Sequence, residues 1–201
     1  MRRISGVLTA LLLAGACAQE RPASSGKLKS AVEASRVMPP CRAVIALEWP
    51  YGWPVPLEAA GQRRFKLFYY PLAGAPPNEP RVFTPAAEAV LDLETGGPVE
   101  CVSLPAEPVE LKGPRWPAAL KGLGMSEFDE RSDALYDRTE AVADLFSSGR
   151  ALSAAESAHA REYLRHFESM AEPALLPYYY RLNPGFWEWL RSAAGRSIPK
   201  A

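Results

Sequence analysis

Apolar and polar residues alternate along four short segments in the N-terminal half of the chain. In the first of them, Cys41, Ile45 and Trp49 fall on one side, while Arg42 and Glu48 fall on the other. A period of two predicts a strand that buries one face. The turn residues between the last two segments, Thr-Gly-Gly-Pro, indicate a hairpin. The four predicted strands cover residues 41–49, 63–70, 87–94 and 99–104.

The pattern changes to a helical period after Pro117. Ser126 with Asp129 resembles a capping box, Ser153 with Glu156 forms a full S-x-x-E box, and Asn183 before a proline is typical of a helix start. We therefore predict three helices, which begin at these caps. The first helix ends at Gly149, and the short connection there predicts that it forms a hairpin with the second. The predicted buried stripe of the second helix is Ala160, Tyr163, Leu164, Phe167 and Met170.

These elements predict a single α+β domain over residues 40–201. An antiparallel sheet of about four strands would occupy mainly residues 40–112, and about three helices, mainly in residues 113–201, would pack on its apolar face. The chain holds 20 prolines, which are frequent between the predicted strands. Because proline fixes φ and lacks an N–H donor, these connections should be stiff loops rather than further strands.

The first residues of the chain have the layout of an export signal. Arg2 and Arg3 precede the apolar run Val7 to Leu13, and small residues follow. A membrane span needs about 20 apolar residues, so this run is too short to cross a bilayer. We expect it to be cleaved.

The end of this signal, Leu13-Ala14-Gly15-Ala16-Cys17, resembles the lipobox of bacterial lipoproteins. The resemblance covers about 17 residues and departs from the usual pattern at Ala14, where leucine is common. It implies a signal peptide over residues 1–16 and acylation (palmitate) of Cys17, which would become the first residue. Residues 17–39, rich in small and polar side chains, are then expected to form a flexible tether.

The expected location depends on whether Cys17 is acylated or the signal peptide is removed by ordinary cleavage. Ala18 lacks the acidic character associated with inner-membrane retention in the best-known lipoproteins, so the outer membrane is the expected location. Ordinary cleavage at Ala14-Gly15-Ala16 or Ala16-Cys17-Ala18 would instead give a periplasmic or secreted protein.

The cysteine count suggests a disulfide, and the charge count bears on whether the chain binds nucleic acid. If Cys17 is acylated, Cys41 and Cys101 remain as a pair, and a disulfide between them would close a loop that contributes about 4 kcal/mol. The alternative is two unpaired buried thiols. Without residues 1–16 the chain has 21 basic and 23 acidic residues, a net charge of −2, and no run of like charge exceeds three residues. Nucleic-acid binding is therefore not expected.

Aromatic residues between prolines suggest a binding surface made of Trp49, Tyr51 and Trp53. Rigidly held rings can bind a sugar or a peptide at low entropic cost. The alternative is that Trp49 and Trp53 cover the core. Residues 178–180 and Trp187 form a second aromatic group, for which packing between helices is the alternative.

Metal or catalytic sites have weak sequence support. His159, Glu162 and His166 share one side of the second predicted helix but span about 10 Å, so a charged, solvated face is the favoured interpretation over a metal site. No cofactor is expected. Glycan hydrolysis would need a pair of carboxylates, which would have to come from the predicted strands. Strands with one solvent-exposed face routinely carry carboxylates, so the alternative is that these residues have no catalytic role. Those residues are Glu48, Glu88, Asp92 and Glu94.

Three functions remain open from the sequence. The first is a non-enzymatic envelope lipoprotein that binds a protein or glycan partner through aromatic loops and the membrane through Cys17. The second is an enzyme that acts on the cell wall. The third is a toxin or immunity factor carried by a lipoprotein, with residues 126–194 as the active helical part.

Overall fold

The computed structural model describes residues 26–35, 52–57, 63–70, 81–104, 109–111 and 117–195. The predicted α+β class, with an antiparallel sheet in the N-terminal half and helices mostly in the C-terminal half, is confirmed. The strands are β1 (Val55–Pro56), β2 (Arg64–Tyr69), β3 (Arg81–Phe83), β4 (Ala87–Asp92), β5 (Gly97–Ser103) and β6 (Val109–Leu111). The α-helices are α1 (Lys27–Ser35), α2 (Met125–Ser147), α3 (Ala154–Met170), α4 (Leu176–Leu182) and α5 (Pro184–Ala193), with short 3₁₀ turns at Ala118–Leu120 and Pro173–Leu175.

Four strands form the main sheet in the order β1-β2-β4-β5, with every neighbouring pair antiparallel. In the central pair, Arg64 lies opposite Asp92 and Tyr69 lies opposite Ala87. β3 and β6 form a separate two-stranded sheet. The strands predicted over 63–70, 87–94 and 99–104 are thus found, whereas the one predicted over 41–49 lies outside the described residues.

The alternation predicted from the sequence sets the two faces of this sheet. Phe65, Leu67 and Tyr69 are fully buried and pack with Ala89 and Leu91 of β4 on one face. This side also holds buried residues of α1 and α2, and we refer to it as the sheet-face core. A second and larger core lies between the helices and includes Phe68, which points from the other face of β2. The five-residue stripe predicted for α3 is confirmed in full, because every one of its members is buried.

Helix starts follow the predicted caps at two of three positions. Ser153 and Glu156 form a complete capping box, and the Asn183 side chain accepts a hydrogen bond from the Phe186 N–H. The cap predicted at Ser126 is wrong. The N-cap of α2 is Gly124, two residues earlier than predicted, so Ser126 lies inside the first turn and makes no cap. Among the described residues, no helix combines the length and apolar character needed to cross a bilayer.

The expectation of a flexible tether over residues 17–39 is corrected for the part that the structure describes. Residues 27–35 form α1, in which Leu28, Ala31 and Val32 are buried. Their spacing of i, i+3 and i+4 places them on one side of the helix, which packs on β4, β5 and α2. The folded body therefore begins by Lys27, thirteen residues before the predicted boundary at residue 40.

Candidate functional site

Five aromatic side chains meet near the end of β2 at which Tyr69 lies, and a sixth aromatic residue, Trp53, is hydrogen-bonded to one of them through its backbone. The ring of Phe68 is at their centre, 4.7 Å from Tyr178, 5.0 Å from Tyr179 and 5.4 Å from Phe83, measured between ring centroids. Most of these contacts are edge-to-face or tilted, which is the favoured geometry for aromatic pairs. We define the aromatic cluster as Trp53, Phe68, Tyr70, Phe83, Tyr178 and Tyr179.

The segment before β1 is fixed on this cluster by its backbone. The Gly52 N–H donates to the Phe68 carbonyl at 2.8 Å, and the Trp53 N–H donates to the Tyr179 hydroxyl at 2.9 Å. Gly52 is required here, since a Cβ at that position would overlap the Phe68 ring. The Trp53 ring contacts the edge of Tyr136, with 5.6 Å between the ring centroids. Trp53 thus packs against both cores. This agrees with the alternative interpretation, in which Trp53 covers the core.

Half of the cluster reaches the surface. Phe68, Phe83 and Tyr179 are buried, whereas Trp53, Tyr70 and Tyr178 are only partly buried. The Arg181 guanidinium lies over the Tyr178 ring, 5.2 Å from its centroid. The exposed part of the cluster therefore offers ring surface to the solvent, with the Arg181 guanidinium beside it.

The Tyr178 hydroxyl is engaged with a charged pair on the sheet. It donates to Glu88 Oε1 at 2.9 Å, and the other oxygen of Glu88 lies 2.6 Å from Lys66 Nζ. Burial, with the nearby charge of Glu88 as a second cause, raises the pKa of Tyr178 well above its usual range. This hydroxyl is therefore a hydrogen-bond donor at neutral pH rather than a base.

The strand carboxylates considered for glycan hydrolysis are not brought together as a catalytic pair. Glu88 faces Lys66, and Asp92 lies 3.4 Å from the Arg64 guanidinium. The two carboxylates are four positions apart along β4, which corresponds to about 13 Å of strand. Glu94 is exposed in the turn after β4, and Glu48 lies outside the described residues.

The histidines considered for a metal site lie near an arginine. Arg138 Nη1 is 2.8 Å from Glu162 Oε1. Burial and then the charge of Arg138 lower the pKa values of both His159 and His166. A guanidinium at this position opposes a second cation, and no group of three ligating side chains in the described part of the chain could hold a metal ion.

A buried carboxylate that the sequence did not indicate connects α1 to the body. Glu140 on α2 is 5% exposed, accepts a hydrogen bond from the Leu28 N–H at 2.8 Å, and lies 3.4 Å from Arg63 Nη2. At the other end of α1, the Ser35 and Tyr69 hydroxyls are hydrogen-bonded. α1 has nine residues, fewer than the 12–15 or so that an isolated helix needs, so these contacts and its buried stripe hold it in place.

The remaining predicted site residues are placed only in part. Trp49, Tyr51 and Cys41 lie outside the described residues. Cys101 lies opposite Ala89 on β5 and packs, partly buried, against the sheet-face core, so its disulfide with Cys41 stays a prediction. In the second aromatic group, Trp187 is buried and donates its ring N–H to the Tyr179 carbonyl.

The two aromatic groups that the sequence suggested separately meet through Trp53 and Tyr179. The sequence did not single out Phe68, Tyr70 or Phe83. The signal available for the first two was the run Phe68-Tyr69-Tyr70, in which alternation sends Phe68 and Tyr70 to the side opposite Tyr69.

No protein-family model matches this chain, and no curated protein or solved structure matches it at a significant level. Its function is therefore inferred from its own residues.

Proposed function

We propose that this chain is an exported lipoprotein, anchored in the outer membrane through an acylated Cys17, whose folded body binds another component of the cell envelope. The lipobox-like sequence from Leu13 to Cys17 is the observation that carries this proposal. The role is non-enzymatic: the body presents a surface to a protein or glycan partner and performs no chemistry on it.

The aromatic cluster is the surface best suited to such a partner. Tyr70 and Tyr178 are partly exposed and are held by the buried rings of Phe68 and Phe83. Rings fixed in this way lose little entropy on binding, and their faces pack against sugar rings or apolar peptide side chains. Arg181 adds a charged donor beside them.

Neither alternative function gains a favourable observation. For an enzyme, the strand carboxylates Glu88 and Asp92 face Lys66 and Arg64 instead of each other. For a toxin made of residues 126–194, the helical core would have to stand alone, yet it is shared with Val55 and Phe68 of the sheet.

The anchor is tested by the intact mass of the protein purified from membranes, with and without reductant and alkylation. We expect a chain that starts at Cys17 and carries a lipid-sized mass increase. Cys41 and Cys101 should be alkylated only after reduction. An unmodified chain that starts at Cys17 or Gln19 would show a free periplasmic or secreted protein and would contradict the proposed anchor.

The binding surface is tested by capture of envelope material on the immobilised body, with purified cell-wall glycan and detergent-solubilised membrane proteins as separate probes. Tyr70→Ala should weaken capture of one of these probes about tenfold, as expected for an aromatic residue central to an interface. Val99→Ala is the matched control, because Val99 is 45% exposed on β5, away from the cluster. Equal capture by the two variants, with both still folded, would contradict the assignment of this surface.

A further inference from the structure

α1 lies along the sheet and is attached at both ends. Near its N-terminus, the Leu28 N–H is bound by Glu140, whose carboxylate also contacts Arg63 just before β2. At its C-terminus, Ser35 is hydrogen-bonded to Tyr69, the last residue of β2. The helix therefore runs in the same direction as β2, from the Arg63 end of the sheet to the Tyr69 end.

The sheet register assigns the other elements to these two ends. The Leu93 N–H donates to the Arg63 carbonyl, so the β4–β5 turn (residues 93–96) lies at the end where α1 begins. We refer to this as the anchor end. Tyr69 pairs with Ala87, and Ala87 pairs with Ser103, so these residues mark the opposite, distal end. The aromatic cluster lies towards the distal end, since it is centred on Phe68.

The length of chain before α1 limits where the body can be held. Nine residues of sequence lead from Cys17 to Gly26, whose carbonyl accepts a hydrogen bond from the Ser30 N–H. Even if fully extended, nine residues span at most about 30 Å. The tether predicted from the sequence, which ran to residue 39, would have allowed more than twice this distance.

We propose that α1 is a strap that sets the orientation of the body on the membrane. It attaches the body at the anchor end, so that the β4–β5 turn faces the bilayer and the aromatic cluster is directed away from it, towards a partner in the envelope. This inference rests on the proposed acylation of Cys17.

The orientation is tested by energy transfer from the lipidated protein to vesicles that contain a rhodamine-labelled lipid. A donor dye is attached through an azide-bearing amino acid at position 95 or at position 103, which avoids the native cysteines. Thr95 and Ser103 are both exposed and lie at the anchor and distal ends. Transfer should be higher from position 95, and equal or reversed efficiencies would overturn the strap.

Two matched insertions separate the strap from a simple tether. A Gly/Ser segment of about twenty residues between Ser25 and Gly26 lies before α1 and should lower transfer from position 95. The same segment between Pro39 and Pro40 lies after α1 and should leave the transfer unchanged, because the chain that leads from Cys17 is already joined to the body at α1. If both insertions lower the transfer equally, the body is not held by α1 and the proposal fails.

The failure of the strap and the failure of the anchor give different results. Intact mass reports whether Cys17 carries lipid, and a chain without lipid overturns both proposals. A lipidated chain whose two labels transfer equally overturns the strap alone. Thermal unfolding of each insertion variant checks that the body is still folded.

Discussion

The carboxylate of Glu140 accepts a hydrogen bond from the backbone N–H of Leu28 at 2.8 Å, across 112 residues of sequence. The N–H groups of a first helical turn have no partner within the helix, and a negative charge at this end is favourable. A residue in the middle of α2 therefore completes the start of α1. Removal of residues 1–35 as a presumed tether would also strip three apolar side chains from the sheet-face core.

Replacement of this carboxylate should destabilise the fold. Glu140→Ala leaves the Leu28 N–H without its acceptor and removes a partner of Arg63, so we expect a loss of about 2 kcal/mol in the free energy of unfolding. Glu140→Gln keeps a carbonyl acceptor and should lose about 1 kcal/mol. Urea unfolding followed by tryptophan fluorescence measures both.

Asp133→Ala is the control for Glu140→Ala, because it removes the Lys29–Asp133 ion pair between the same two helices. Both of its side chains are about half exposed. Such solvent-exposed pairs contribute little to stability, so Asp133→Ala should unfold close to the native chain. If Asp133→Ala costs as much as Glu140→Ala, the buried hydrogen bond is not what holds α1.

The capping box of α3 gives a second test. Ser153→Ala removes the acceptor for the Glu156 N–H and should cost about 1 kcal/mol. Ser126→Ala, at the serine that lies inside α2 and caps nothing, should change stability by less than about 0.5 kcal/mol. Chemical unfolding of the two variants under one condition should separate them, and equal values would contradict the cap assignment.

The close packing of Gly52 against the aromatic cluster gives a third test of the structure. Gly52→Ala places a methyl group against the Phe68 ring and should cost about 1–3 kcal/mol through overpacking. Gly185→Ala is the matched control: its Cβ would meet only the Asn183 side chain at 3.6 Å, within a helix that favours alanine. We expect the control to be neutral or stabilised by up to about 1 kcal/mol. The midpoint of thermal unfolding should therefore fall for Gly52→Ala and stay unchanged or rise for Gly185→Ala, and a neutral Gly52→Ala would contradict the packing.

The two histidines of α3 predict a pH dependence. Their pKa values in the folded state are lowered from 6.5, first by burial and then by Arg138, while Glu162 acts in the opposite direction. As the pH falls through about 6.5, the unfolded chain binds more protons than the folded one, so stability decreases. The decrease should stop once the pH lies below the folded-state pKa values.

This dependence is measured as the unfolding midpoint in urea between pH 7.5 and pH 5, for the native chain and for His159→Gln/His166→Gln. The double variant should have a shallower slope over this window. Glu156 does not interfere, since its pKa is lowered to about 2 by Arg150 and by its hydrogen bonds with Ser153, and its contribution is lost only as the pH falls below about 4.5. An unchanged slope would assign the pH response to other groups.

Local signals account for the parts of the fold that could be predicted from the sequence. α3 carries its cap, Ser153 and Glu156, and its buried stripe within residues 153–170, so nothing distant is needed to define it. β2 and β4 are also local, because apolar residues at every second position, Phe65, Leu67 and Tyr69 in β2 and Ala87, Ala89 and Leu91 in β4, mark one buried face of each strand. α1 has only Leu28, Ala31 and Val32 as an apolar stripe, and its main polar contact comes from α2. No pattern within residues 27–35 contains that information.

The candidate site was predicted less well for the same reason. Trp53 and Tyr179 were each singled out as aromatic, but their hydrogen bond joins residues 126 positions apart. Phe83 belongs to a three-residue strand that pairs with β6, which is too short to show a period of two. Contacts between distant segments decide which rings form a cluster, and the sequence pattern reports only the faces on which they lie.

The pairing of α1 with Glu140 also determines the order in which the body can be completed. Synthesis proceeds from the N-terminus, so Leu28 emerges more than a hundred residues before Glu140, the acceptor of its N–H. β2, β4 and β5 emerge in the meantime and build the surface on which Leu28, Ala31 and Val32 will lie. The apolar stripe of α1 can thus dock on the sheet before α2 is made, whereas the hydrogen bond that completes the start of α1 has to wait for α2.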